Sequence, residues 1–197
     1  NRLYIDMYRF NEPTLYFNPS DIVNLQYATV KADENKLPYL FLKEELAYVL
    51  SKRGKYIQPL QQQDHKVCLA IKGGGDGIGF SNLSDFQRQT FIYRIKQVID
   101  QYALDGVNLH DSEFGIEQKN NTKDAAKGLG LFVQQLRKVL GDKIITYTQT
   151  EESPQGITDE QAEIKLGEWV DYAWTNQLNK IINPWDRPDK WWNKPLA

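Results

Sequence analysis

Short apolar strands alternate with amphipathic helices along this chain, and that order restricts it to a parallel α/β sheet. Val67 to Ile71 is an apolar run of strand length, the kind buried on both faces. Leu104 to Ser112, Ile144 to Gln149 and Trp169 to Trp174 follow as strands, and Leu3 to Tyr8 and Ile22 to Ala28 precede. Helices separate them. Tyr39 to Lys52 carries Leu42, Leu46, Val49 and Leu50 as one stripe, with Gly54 as its stop. Ser84-Asp85-Phe86-Gln87 has the form of a capping box. It opens a helix to about Tyr102 with Phe91, Ile95, Val98 and Ile99 inward. A polar loop from Glu117 to Asp124 precedes a helix over Ala125 to Leu140, which Gly141 ends. Six strands in this order predict one (β/α)8, TIM-barrel-like domain over residues 1–197. Such barrels usually need roughly 250 residues. With 197 residues, the barrel is expected to be incomplete at its C-terminal end.

The sites of such barrels stand at the C-terminal ends of the strands, which directs attention to Leu104-Asp105-Gly106-Val107-Asn108-Leu109-His110-Asp111-Ser112-Glu113. Side chains alternate between the two faces of a strand. Val107 and Leu109 share the face that packs under helices. Asn108, His110 and Ser112 share the face that points into the barrel and up to its mouth. Asp111 and Glu113 follow the parity of Val107 and Leu109, so the carboxylates fall out of phase with the polar face. A one-residue bulge near His110 or Asp111 would turn Glu113 inward. Without it, Asp111 and Glu113 are a solvated loop edge or cap a neighbouring helix. His110 is either a buried partner of Asp111 or of a barrel tyrosine, or a replacement acid. After the Val67 strand, Gly73-Gly74-Gly75 lacks the Gly-Lys-Ser/Thr ending of a phosphate loop. Close approach of backbone to a ligand, or a tight loop, explains it more simply.

These segments resemble glycoside hydrolase family eighteen, and within it the endo-β-N-acetylglucosaminidases. That family carries Asp-Gly-x-Asp-x-Asp-x-Glu on its fourth barrel strand. Asp105 and Gly106 open the motif, and Asn108, His110 and Ser112 stand where the family has Asp, Asp and the catalytic Glu. Tyr56 to Gln63, Lys66 to Ile71, Gly77 to Phe80, Asp142 to Ile145 and Asp171 to Trp174 resemble further segments of those enzymes, in order. The resemblance implies substrate-assisted hydrolysis, in which the Glu protonates the glycosidic oxygen and the sugar's own acetamide attacks the anomeric carbon. A serine hydroxyl at Ser112 cannot serve as that acid. General acid–base help is worth about 100- to 10,000-fold, so its loss nearly silences a site.

The resemblance therefore implies a barrel that recognises N-acetylglucosamine-containing glycans, with the chitobiose core of N-glycans as target, and leans away from an enzyme. Asn108 and His110 are expected on the pocket floor with Ser112, Gly73 and Gly74 beside it, and Tyr172 and Trp174 on its wall. Thr175 and Gln177 stand where the resembling enzymes have Asn and Tyr, which weakens the active reading further. An active endo-β-N-acetylglucosaminidase using Glu113, and reuse of the scaffold to bind a protein, remain the alternatives. No cofactor is implied. His65 and His110 form no metal motif. The net charge of −2 gives no sign of nucleic acid, and the apolar runs are too short for a membrane span. Cys68 alone allows no internal disulfide. A monomer, secreted or at the cell surface, is expected, although no signal peptide is present. Trp185, Trp191 and Trp192 crowd the tail, as late core packing or as sugar-stacking rings.

Overall fold

Six parallel strands and one antiparallel arm form a single sheet in a computed structural model that describes residues 2–5, 22–73, 76–110, 122–149, 153 and 163–175. The parallel strands are β1 (Arg2–Ile5), β2 (Ile22–Ala32), β4 (Lys66–Lys72), β5 (Gly106–His110), β6 (Ile144–Gln149) and β7 (Tyr172–Thr175), neighbours in that order. The arm is β3 (Pro38–Leu42), which folds back antiparallel on β2. Long helices α4 (Asp85–Gln101) and α5 (Thr122–Leu140) follow β4 and β5. Ser84 accepts from the Gln87 backbone N–H while the Gln87 side chain accepts from the Ser84 N–H, the reciprocal cap expected at the start of α4. Gly141 ends α5 with φ +59 and donates to Arg137 O.

The core lies between the sheet and the helices. Val23, Leu25, Val67, Leu69, Ile71, Val107, Leu109, Ile145 and Tyr147 are all fully buried on that side. Phe80, Phe91 and Phe132 meet them from above as a triangle of rings, with centroids 5.0 to 6.4 Å apart. Two glycines permit the close fit. A Cβ on Gly106 would stand 2.0 Å from Ile144 O, and one on Gly128 would stand 1.9 Å from Ser81 O.

Several boundaries differ from the sequence reading. The helix expected over Tyr39 to Lys52 is split: β3 occupies Pro38–Leu42, and only α1 (Glu44–Ser51) is helical. The cause is a side chain. Asp33 Oδ1 accepts from the N–H groups of Asn35 and Leu37, and Lys36 takes φ 60, so the chain reverses and β2 continues to Ala32 as the partner of β3. The helix stops at Lys52 rather than Gly54, which sits inside the one-turn helix α2 (Arg53–Tyr56). A second single turn, α3 (Gln58–Gln61), follows it, with Pro59 in its first turn. The sixth parallel strand begins at Tyr172, because Leu166–Glu168 form a 3-10 turn and Trp169 to Asp171 lead out of it. Helix α5 starts at Thr122, three residues before the expected Ala125. The long turn marked by Pro13 and Pro19, and the tail tryptophans, lie outside the described residues.

The sheet is pinned at its lower end by a device used twice. Asp105, just before β5, accepts from Val67 N–H through Oδ2 (2.8 Å) and donates its own N–H to Val67 O (2.8 Å). Asp171, just before β7, does the same with Ile145, at 2.8 Å in both directions. Gln61 braces the first carboxylate (2.8 Å) and Arg137 the second (2.6 Å). Asp105 of the sequence motif is therefore a strand clamp, remote from the mouth.

Candidate active site

Register defines the inner face. Parallel neighbours in one row point the same way, and three rows stack from bottom to top. Asn24, Cys68, Gly106 and Ile144 form the lowest; Ala70, Asn108, Thr146 and Tyr172 the middle; Thr29, Lys72, His110, Thr148 and Trp174 the uppermost. This layering is that of a barrel interior. The expected parity of Val107 and Leu109 against Asn108 and His110 is the one observed.

Asn108 is fully buried and its amide is fully engaged. Nδ2 donates to Thr146 Oγ1 (2.8 Å) and Thr148 Oγ1 (3.1 Å), and the Thr148 hydroxyl donates to Oδ1 (3.3 Å). Both threonines are buried, which gives these bonds their worth. The sequence reading passed over Thr146 and Thr148. Their alternation with Ile145 and Tyr147 was the available signal, but only the register assigns them to Asn108. Asn24, in the lowest row, is fully buried, and neither of its amide atoms has a hydrogen-bond partner among the described residues.

His110 stands one row above Asn108, half-buried, with the Tyr27 ring at 5.6 Å and tilted by 44°. Its carbonyl accepts from Gly73 N–H (2.8 Å), so the glycine loop begins against the end of β5. Tyr172 lines up with Thr146 and is 54% exposed. Trp174 is aligned with Thr148, and its register alone is described. Gly74, Ser112 and Glu113 lie outside the described residues. Up to His110, β5 keeps unbroken register with both neighbours, so no bulge falls within Gly106–His110.

Cys68 is buried in the lowest row, and its thiol is pushed well above the ordinary value by that burial, and further by the charges of Asp105 and Asp171. It is a packing residue, inert as a nucleophile. Among the described residues no helix is long and apolar enough to cross a membrane.

A layered parallel sheet with its mouth at the C-terminal strand ends is the architecture of (β/α)8 barrels. The sequence profile of Glycosyl hydrolases family 18 matches residues 3–186, and the chain belongs to that family. It is 29% identical over 164 residues to endo-beta-N-acetylglucosaminidase F1 of Elizabethkingia meningoseptica, a match that spans 78% of this chain and 46% of that protein. In structure it is similar to the Bacteroides thetaiotamicron EndoBT-3987 complex with Man5GlcNAc product, with TM-score 0.64, 25% identity, and coverage of 79% of this chain and 37% of the other. Catalytic domain 2 of the Ostrinia furnacalis Group II chitinase shares the fold with TM-score 0.63 at 17% identity, over 89% of this chain and 49% of the other. The chain spans about half the length of the curated relatives it matches.

Proposed function

We propose that this protein recognises N-acetylglucosamine-containing glycans, with the chitobiose core of N-glycans as its target, and binds them without efficient hydrolysis. One observation carries the second half. At the inward position after Gly106 stands a neutral amide, Asn108, whose donors and acceptor are spent on Thr146 and Thr148. A carboxylate able to steady positive charge on a reacting acetamide has no counterpart there. His110 follows on the same face, and parity assigns Ser112 to the next inward position. None of these three is a carboxylic acid able to protonate a glycosidic oxygen in the family's manner.

Family membership supports the first half, as do relatives that are endo-beta-N-acetylglucosaminidases or hold Man5GlcNAc and Man9GlcNAc2Asn. In this reading Asn108 serves as the pocket floor with His110 above it, Gly73 brings backbone close, and Tyr172 stands on the wall. Glycans of this kind are displayed outside cells, so the reading places a monomer in secretion or at the cell surface.

The test incubates the full-length protein with a high-mannose glycoprotein and follows glycan release, alongside Glu113→Gln and calorimetry with the same glycan. Binding without release is expected. Release that disappears in Glu113→Gln would overturn the reading in favour of an enzyme acting through a bulge after His110. Neither release nor binding would leave protein recognition as the use of the scaffold.

A further inference from the structure

The base of the sheet carries an aromatic and cationic cluster that neither the fold nor the glycan reading uses. Helix α2 is fastened there. Arg53 Nε donates to Tyr102 O (2.9 Å) and its Nη2 to Gln61 Oε1 (3.0 Å), and Gln61 in turn holds Asp105 (2.8 Å). Tyr56 ends the same turn and is half-buried. Tyr48 of α1, 52% exposed, sets its ring 6.2 Å from that of Tyr56, tilted by 55°. Lys55 Nζ lies 4.9 Å from the centre of the Tyr56 ring.

The groups around one oxygen give the cluster its chemistry. The Tyr56 side chain is hydrogen-bonded to the Lys55 ammonium and to Tyr48, and the charge of Lys52 adds to that of Lys55. All three favour an oxyanion. The hydrogen bond to Lys55, more than any other contact, holds the Tyr56 phenol below the ordinary tyrosine value, and it holds the Lys55 ammonium above the ordinary lysine value. The pair therefore divides its roles: the oxygen is the nucleophile, and the amine stays a protonated donor. Exposure alone would favour Tyr93 of α4, which is 61% exposed.

We propose that Tyr56 is a covalent modification site, a nucleophilic tyrosine that takes the acyl group of an activated carboxylic acid. The phenol oxygen, its proton released to solvent, attacks the carbonyl carbon of the donor. A carbon–oxygen bond forms as the bond from that carbon to the leaving group breaks, and the leaving group departs with the electron pair and takes up a proton from water. Lys55 and Tyr48 steady the oxygen and are not consumed. The step takes place at the base, so it stands or falls independently of what the mouth binds.

N-Acetylimidazole is the probe, applied to the folded full chain at pH 8, with the acetylated residues followed over time by peptide mass spectrometry. Tyr56 is expected to be acetylated about three- to fivefold faster than Tyr93, the reach of a contact with a surface charge. Added salt should narrow that lead. Lys55→Gln should abolish it and move the pH profile of Tyr56 labelling upward, whereas Lys55→Arg, which keeps the charge, should retain most of it. Labelling of Tyr56 no faster than Tyr93, acetylation of Lys55 in its place, or a lead that survives Lys55→Gln would overturn the proposal. Lys55 is exposed, and an unchanged unfolding midpoint checks that both variants are folded.

Discussion

Asn108→Asp tests whether the pocket floor is built around a neutral amide. The substitution changes one atom, so packing is preserved. It removes both donations from Nδ2, to Thr146 at 2.8 Å and to Thr148 at 3.1 Å, and places an anion at a fully buried position. Thr148 already donates to Oδ1, and the Thr146 hydroxyl can rotate to donate, which offsets part of the loss. An uncompensated buried charge costs roughly 3–5 kcal/mol, and the one new hydrogen bond, from the Thr146 hydroxyl, returns about 1 kcal/mol, so the net at pH 7 is about 2–4 kcal/mol. Urea unfolding followed by tryptophan fluorescence reads this as a midpoint lower by about 1 M, for a slope near 2–3 kcal/mol/M. The pH dependence has a definite sign. Burial raises the new carboxyl above its unfolded value, about 3.9. Below that pH both states are protonated and the deficit reduces to the lost amide bonds. As pH rises past it the unfolded chain ionises first, and the deficit grows until the folded carboxyl also titrates. A variant as stable as the parent at pH 7 would refute the reasoning, because the floor would then accept an acid at no cost.

Further perturbations bear on the frame around the site. Gly106→Ala drives a methyl to within 2.0 Å of the Ile144 carbonyl oxygen; it should cost at least about 3 kcal/mol by overpacking at a strand that cannot shift, read in the same urea titration. Asp171→Ala leaves the buried Ile145 N–H without its acceptor and should cost about 1–3 kcal/mol, whereas Asp171→Asn, which keeps an acceptor oxygen, should recover much of this. Cys68 should resist a thiol reagent at pH 8 in the folded protein and react at once in urea. Because burial raises its thiol, stability should fall as pH climbs past the ordinary value of 9.0, where only the unfolded chain ionises; a midpoint flat across that range would contradict the placement.

Strand order and face were legible in the sequence because both depend on short-range periodicity. Asn108 and His110 fell on the inward face by parity alone, and the Ser84–Gln87 cap needed only four residues. Two kinds of feature were not legible. The first is competition between periods: Tyr39-Leu40-Phe41-Leu42 alternates as a strand, but Leu42, Leu46, Val49 and Leu50 also fit a helix, and the turn set by Asp33 decides the matter. The second is register. Thr146 and Thr148 become the partners of Asn108 only once β5 and β6 are aligned, and the irregularity between Leu25 and Ala28 decides which residues of β2 stand beside Lys72.

That dependence on alignment gives the two aspartate clamps a significance for chemistry at the opposite end of the sheet. A parallel strand that slips by one residue exchanges its faces. For β5 such an error would turn Val107 and Leu109 toward the interior and bury Asn108 and His110 beneath helices. Asp105 forbids it by holding Val67 through both N–H and carbonyl, and Asp171 sets β7 against β6 in the same way. The clamps lie far from the mouth, yet they set the phase in which the inward side chains are presented, so the chemistry of the mouth is decided at the base.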